Sequence, residues 1–93
     1  MEKVVFKGSF TVRNDKGLHA RPSTELVKCA ASYQSEIYLL HNDTTVNAKS
    51  LLGVLTLAAN KGTRIKVEAE GKDAKEAIDA LQSLAQEKFN IKY

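Results

Sequence analysis

Two hydrophobic rhythms alternate along this chain. Residues 6–13 read Phe-Lys-Gly-Ser-Phe-Thr-Val-Arg, which puts Phe6, Gly8, Phe10 and Val12 on one side. A period of two predicts a strand buried on one face only. Asn14-Asp15-Lys16-Gly17 follows with the chemistry of a turn. From residue 20 to about 32 the period becomes helical: Ala20, Thr24, Val27 and Ala31 recur on one face, and Leu26 and Ala30 widen the stripe. Residues 36–41, Glu-Ile-Tyr-Leu-Leu-His, predict a second strand, and Asn42-Asp43 turns it into a short third over residues 44–47. Ser50 is placed to cap a short helix over 51–57 that ends near Asn60-Lys61-Gly62. The cleanest alternation, residues 64–70, predicts a fourth strand. After Gly71, Asp73 and Glu76 stand at capping-box spacing and open a last helix, with Ala77, Ile78, Leu81, Leu84 and Ala85 facing inward.

The predicted order is β-α-β-β-α-β-α. Strands polar on one side, beside helices that each need cover, imply an antiparallel sheet with helices on one face, an α+β fold. A ferredoxin-like arrangement shares this order but lacks the last helix. The 93 residues argue for a single domain, residues 1–93. A chain of this length buries somewhat over ~60% of its unfolded surface, enough for one two-layer core. The single cysteine, Cys29, excludes an internal disulfide framework and fits a reducing cytosol. No apolar run approaches the ~20 residues of a membrane span, and the start Met1-Glu2-Lys3-Val4-Val5-Phe6 lacks a signal peptide's long apolar region, so a cytoplasmic protein is expected.

The net charge is +3, with lysines interleaved with acids as in Lys66-Val67-Glu68. That is a solvated mixed surface, not a basic tract for nucleic acid. An RNA-recognition domain has a similar element order, but it reads bases with aromatics on its central strands. Thr44-Thr45-Val46-Asn47 carries none. A modest positive field does suit acidic protein partners.

The candidate chemistry lies in Gly17-Leu18-His19-Ala20-Arg21-Pro22-Ser23. Gly17 permits a tight turn, and Pro22 fits only the first turn of a helix. His19 therefore falls at or next to the N-cap, where backbone N–H groups lack intrahelical partners. Those donors and the helix dipole suit an anion such as phosphate. An imidazole there has its cationic form disfavoured, which keeps it neutral and nucleophilic near pH 7. The amides of Ala20 and Arg21 are expected to face a transferred phosphoryl group.

Two separated stretches resemble the HPr family, the histidine-containing phosphocarriers of the bacterial phosphotransferase system. Gly17-Leu18-His19-Ala20-Arg21-Pro22 looks like its active-site signature, and Asn47-Ala48-Lys49-Ser50-Leu51-Leu52-Gly53-Val54 resembles the motif around its regulatory serine. The likeness continues through Lys61-Gly62-Thr63 and Val67-Glu68-Ala69-Glu70-Gly71 into the last helix. The resemblance implies an open-faced β-sandwich, four antiparallel strands with three helices packed on one face. It further implies that Enzyme I takes phosphate from phosphoenolpyruvate and passes it to His19, through Nδ1, for delivery to a IIA-type protein. Spacing alone does not choose between the ring nitrogens. The implied protein is a carrier, not a self-sufficient enzyme, and needs no metal or cofactor. The family includes sugar-uptake carriers and nitrogen-branch or regulatory ones.

Each named residue has a plainer role beside the functional one. Arg21 is either a solvated first-turn residue or the donor of fork-shaped hydrogen bonds to the phosphate. Ser50 is a favoured N-cap and, by resemblance, a target of HPr kinase/phosphorylase. Leu51, Leu52, Val54, Leu55 and Leu57 exceed what one buried stripe needs. By resemblance, Leu51, Leu52 and Leu55 form an exposed docking patch beside His19, with Thr24 and Lys28 at its rim. Lys16 stands where many relatives carry a small polar residue, and reads better as a solvated turn lysine than as a phosphate contact. His41 has no partner motif, and Cys29 reads as packed. A monomeric carrier is expected. The competing reading is an HPr-like regulatory module that acts through Ser50 and protein binding without phosphoryl transfer.

Overall fold

Four strands and three helices form in the predicted order. A computed structural model describes residues 5–92; the reading of Met1–Val4 as free of a signal-type apolar run lies outside the described residues. The elements are β1 (Val5–Thr11), α1 (Ala20–Ala31), β2 (Glu36–His41), β3 (Thr44–Asn47), α2 (Leu51–Thr56), β4 (Arg64–Glu70) and α3 (Ala74–Gln86). Every pairing is antiparallel and the sheet order is β1-β4-β2-β3. β1 and β2 thus run parallel to each other with β4 between them. The alternation of each strand sends Phe10, Ile37, Leu39, Ile65, Val67 and Ala69 to one face, where they meet Leu26, Ala30, Val54, Ala77, Ile78 and Leu81 from the helices. The opposite face carries Lys7, Glu36, Arg64 and Lys66, all exposed. Among the described residues, no helix is long and apolar enough to cross a membrane.

The structure departs from the hydrophobic pattern in four places. On α1 the buried face is Pro22, Ser23, Leu26 and Ala30, while Ala20, Thr24 and Ala31 are exposed and Val27 is half-buried. The helix is rotated so that Leu26, its largest apolar side chain, is covered completely, which buries more apolar area than an alanine-threonine stripe. Ser23 can join that face because its hydroxyl donates to the Leu18 carbonyl at 3.0 Å. Phe6 is 39% exposed although the alternation directs it inward. It stands near the end of an edge strand, at a shallow rim formed with Lys75, Ile78 and Asp79.

Asp73 does not close a capping box, for its side chain makes no hydrogen bond to its own helix. Its carboxylate instead accepts the amides of Gln34 and Ser35, each at 2.9 Å, and the Ser35 hydroxyl. It fastens the entry to β2 onto the start of α3. The Ser35 hydroxyl and then the Gln34 amide hold the Asp73 carboxyl below its ordinary value of 3.8. The charged form is the one favoured by folding, so this stabilisation is present above the unfolded value and lost as pH falls through the folded one. Asp73→Asn is expected to melt at a lower Tm than the parent near pH 7, with the gap closing below about pH 3.8. Thermal melts across that range check it; a gap unchanged under acid conditions would mean the carboxylate charge is irrelevant.

The fourth departure is at the carboxy-terminal end, where Lys88–Asn90 form a tight turn the pattern did not anticipate. Its three residues all have left-handed backbone, with φ of 52, 55 and 62°. The turn carries Phe89 back into the core, edge-on to Phe10 with ring centroids 5.8 Å apart and planes at 73°.

Candidate functional site

The loop between β1 and α1 is strapped to the loop between α2 and β4. Val12 donates its amide to the Thr63 carbonyl at 2.8 Å and accepts from Gly62 at 2.7 Å. Beyond that pairing, the Asn14 carbonyl accepts the Gly17 amide at 2.9 Å and closes the turn. Leu18 then donates to the Ala59 carbonyl at 2.8 Å and buries its side chain. Gly17 has φ +69°, and a Cβ built on it would lie 2.2 Å from the Ala59 oxygen. Only glycine allows the two loops to approach this closely. On the rim, Lys61 reaches Asp15 at 3.0 Å and holds that carboxyl below its usual range, first by hydrogen bond and then by charge. Both partners are exposed, so this bridge adds little to stability.

This anchorage delivers His19 to the N-cap of α1, with extended backbone at φ −76°, ψ −171°. Its carbonyl accepts the Ser23 amide at 3.1 Å, the first turn's closing bond. Its side chain makes no cap hydrogen bond. The next two amides, Ala20 and Arg21, have no carbonyl one turn earlier to bond, and Pro22 has no N–H at all. No acidic side chain stands in the first turn. The result is a local concentration of donors and positive dipole at the residue that carries the imidazole. The ring is half-buried and its Nε2 has less than 1 Å² accessible. Ala20 and Arg21 have exposed side chains. Thr24, also exposed, turns its hydroxyl back to the Ala20 carbonyl at 2.8 Å.

Ser50 is the N-cap of α2, where its Oγ accepts the Gly53 amide at 3.0 Å, as its position predicts. Gly53 leaves room for this contact: a Cβ there would stand 3.3 Å from the Ser50 Oγ and 3.4 Å from Val46. Two contacts fix how α2 lies against α1. Leu18, before α1, bonds Ala59, after α2; Lys49, before α2, donates to the Tyr33 carbonyl, after α1, at 2.8 Å. The helices are therefore antiparallel, and Ser50 and His19 lie at opposite ends of α2, a six-residue helix about 9 Å long. Leu52 is 74% exposed and Leu51 40%, both at the Ser50 end, while Leu55 is half-buried one turn nearer His19. The apolar surface runs away from His19 along α2. Lys28 is exposed on α1 and only 3.5 Å from Glu25, a weak solvated pair.

Lys16 is an exposed residue of the turn, and His41 is in the β2–β3 hairpin with Nε2 3.4 Å from the Asn42 amide nitrogen. Burial pushes the Cys29 thiol upward, which makes it a poor nucleophile. Among the described residues, no group of three or more His, Cys, Asp or Glu is placed to hold a metal ion. The pattern gave Lys49 and Asn14 no role beyond their motif and turn. Asn14 is completely buried, which a turn asparagine rarely is and which no periodicity reveals.

Residues 6–87 match the family model of the PTS HPr component phosphorylation site. The phosphocarrier protein HPr of Neisseria meningitidis serogroup A is 42% identical over 80 residues, which cover 86% of this chain and 90% of that one. The solved structure of HPr from Thermoanaerobacter tengcongensis matches with a TM-score of 0.89 at 36% identity, covering 95% of this chain and 99% of that one. An HPr dimer from the same organism matches with a TM-score of 0.74 at 38% identity, covering 96% and 98%. The matched stretch contains the strapped loop, the helix start with His19 and the capped serine of α2, so likeness and site geometry concern the same residues. The chain belongs to the HPr family, the phosphocarriers of the phosphotransferase system, which convey a phosphoryl group and are not themselves catalysts.

Proposed function

We propose that the chain accepts a phosphoryl group from Enzyme I on Nδ1 of His19 and hands it to IIA-type proteins, in sugar uptake or its regulation. The observation that carries this reading is the N-cap placement of His19 with a ring that does not cap. The imidazole and the amides of Ala20 and Arg21 then serve the same incoming group. Burial of Nε2 to less than 1 Å² supports Nδ1, the nitrogen the family likeness implies, as the acceptor in this reading. The Nδ1 lone pair forms the new N–P bond while the bond from phosphorus to the donor breaks, its electron pair leaving with the donor. Delivery is the reverse exchange with the acceptor. Charge on the three phosphoryl oxygens is met by the two amides, the helix dipole and the Arg21 guanidinium. Such a transfer rests on positioning and charge, so it requires no metal or cofactor from this chain.

Incubation with Enzyme I and phosphoenolpyruvate tests it. An acid-labile label on His19 is the expected outcome; no label under those conditions overturns the reading. The exposed end of α2 supplies the docking surface in this proposal, with Leu51, Leu52 and Leu55 at its centre and Thr24 and Lys28 at its rim. Leu52→Asp is expected to raise KM for Enzyme I at least about tenfold, the cost of removing an apolar anchor from an interface. Its Tm should stay within a few degrees of the parent because Leu52 is 74% exposed. Unchanged KM in that variant would remove Leu52 from the surface.

One observation favours a second reading. Ser50 stands beside the exposed Leu51 and Leu52, at the end of α2 away from His19. A phosphate on Ser50 would be welcome at the helix start yet would place a double negative charge against the docking surface. Label that requires ATP and an HPr kinase, and none with Enzyme I, would assign the chain to regulation through Ser50. In either reading the chain is proposed to work as a monomeric, cytoplasmic domain without nucleic-acid or membrane partners.

A further inference from the structure

We infer that Asn14 is a positioning residue for His19: it fastens the loop that carries the histidine to the carboxy-terminal turn. This inference rests on the transfer reading above. Asn14 is fully buried, and its Nδ2 donates to the Lys88 carbonyl at 2.9 Å across 74 residues of sequence. Its own carbonyl accepts the Gly17 amide at 2.9 Å, so one residue ends in the turn beneath His19 and in the far end of the chain.

The Lys88 end of that bond is held firmly. The same carbonyl accepts the Ile91 amide at 3.0 Å, closing the turn. Lys88, Phe89 and Asn90 all adopt left-handed backbone, which residues other than glycine avoid unless their surroundings compel it. The compulsion is the burial of Phe89 against Phe10. Phe10 and Asn14 lie on either side of Val12, whose pairing with Gly62 and Thr63 is the other fastening of this loop. The loop is thus clamped from the α2–β4 side by backbone bonds and from the carboxy-terminal side by a side chain. Loss of the side-chain clamp takes one of two donors from the part-buried Lys88 carbonyl, parts the site loop from the carboxy-terminal turn and lets residues 14–18 relax. In a reaction that depends on alignment, a misplacement near 1 Å costs rate, not affinity.

The test compares Asn14→Ala and Asn14→Asp with Val67→Ala, a core truncation in β4 that serves as a control for lost stability. Asparagine and aspartate have the same shape, but the aspartate carboxylate cannot donate to Lys88. The readouts are kcat and KM for phosphoryl transfer from Enzyme I, the Tm, and the NMR resonances of the His19 ring, which need no transfer. Both Asn14 variants should lose at least about tenfold in kcat with KM within about twofold, and should shift the His19 ring resonances. Val67→Ala should lower Tm and leave kcat and the ring resonances as in the parent. Phe89→Leu, which loosens the turn from its other end, should move the ring resonances in the same direction, and it carries the test if the Asn14 variants do not fold. Asn14 variants that transfer like Val67→Ala, with an unshifted His19, overturn the inference. If the parent accepts no phosphoryl group from Enzyme I, the transfer reading fails, and the ring resonances still decide whether Asn14 positions His19.

Discussion

Replacing His19 with alanine is expected to abolish phosphoenolpyruvate-dependent labelling while leaving the protein folded. The two halves of this result have separate causes. Labelling is expected to end because the Ala20 and Arg21 amides, in the proposed site, would bind a phosphoryl group but offer no lone pair to receive it. The fold survives because the His19 side chain makes no cap hydrogen bond, so its removal costs α1 none of the usual capping energy. The change in stability should stay within about 1 kcal/mol, the range of a substitution outside the core. Mass spectrometry after incubation with Enzyme I measures the first half, and thermal melts the second. The chain has a second histidine, His41, at the β2–β3 hairpin. A label that persists in His19→Ala and maps to His41 would transfer the acceptor role there and dismantle the site described above.

Gly17→Ala is expected to cost both stability and transfer. A left-handed backbone with a Cβ costs about 1–2 kcal/mol by itself. Here that Cβ would also stand 2.2 Å from the Ala59 oxygen, so the loops must separate. Separation weakens the Leu18–Ala59 and Gly17–Asn14 bonds, each worth about 1 kcal/mol. A total near 3 kcal/mol lowers Tm by roughly 12–24 °C in a domain of this size. The transfer rate should fall about a hundredfold, because the same displacement moves the start of α1 with His19 on it. Gly62→Ala is the matched comparison. It also has positive φ, +92°, but nothing lies within 4 Å of its Cβ position. It should therefore lose only the conformational part and keep its transfer rate. Equal losses in the two variants would show that crowding against Ala59 is not what holds the loop.

How much of this was legible beforehand depended on the range of each interaction. Residues 64–70 alternate without a break and form β4 with those bounds, since a central strand covered on one face requires alternation. Ser50 caps α2 because capping is decided within three residues. The buried face of α1 differs from its apolar stripe because spacing marks a helical face without saying which of two overlapping faces meets the sheet. Asp73 had the right residue and spacing for a capping box, yet donors from the α1–β2 connection reached it first. Phe89 offered no periodic signal, being a single apolar residue beyond the end of a helix. His19 was legible as a helix-start residue because glycine and proline on either side restrict the backbone locally. The burial of Asn14 was not, because its partner lies 74 residues away.

By itself the sequence determined the element order, the α+β class and the placement of His19 at a helix start. These follow from hydrophobic period and from the backbone preferences of a few glycines, prolines and capping residues, all of which act over one or two turns. The tertiary structure alone decided the antiparallel set of α2 against α1, which puts Ser50 and His19 at opposite ends of the short helix. It also decided the closure of the carboxy-terminal turn on Asn14 and the second fastening of the site loop that results. The reason is physical: such contacts join residues far apart in the chain, and their energies exist only once the core has brought both partners out of water together.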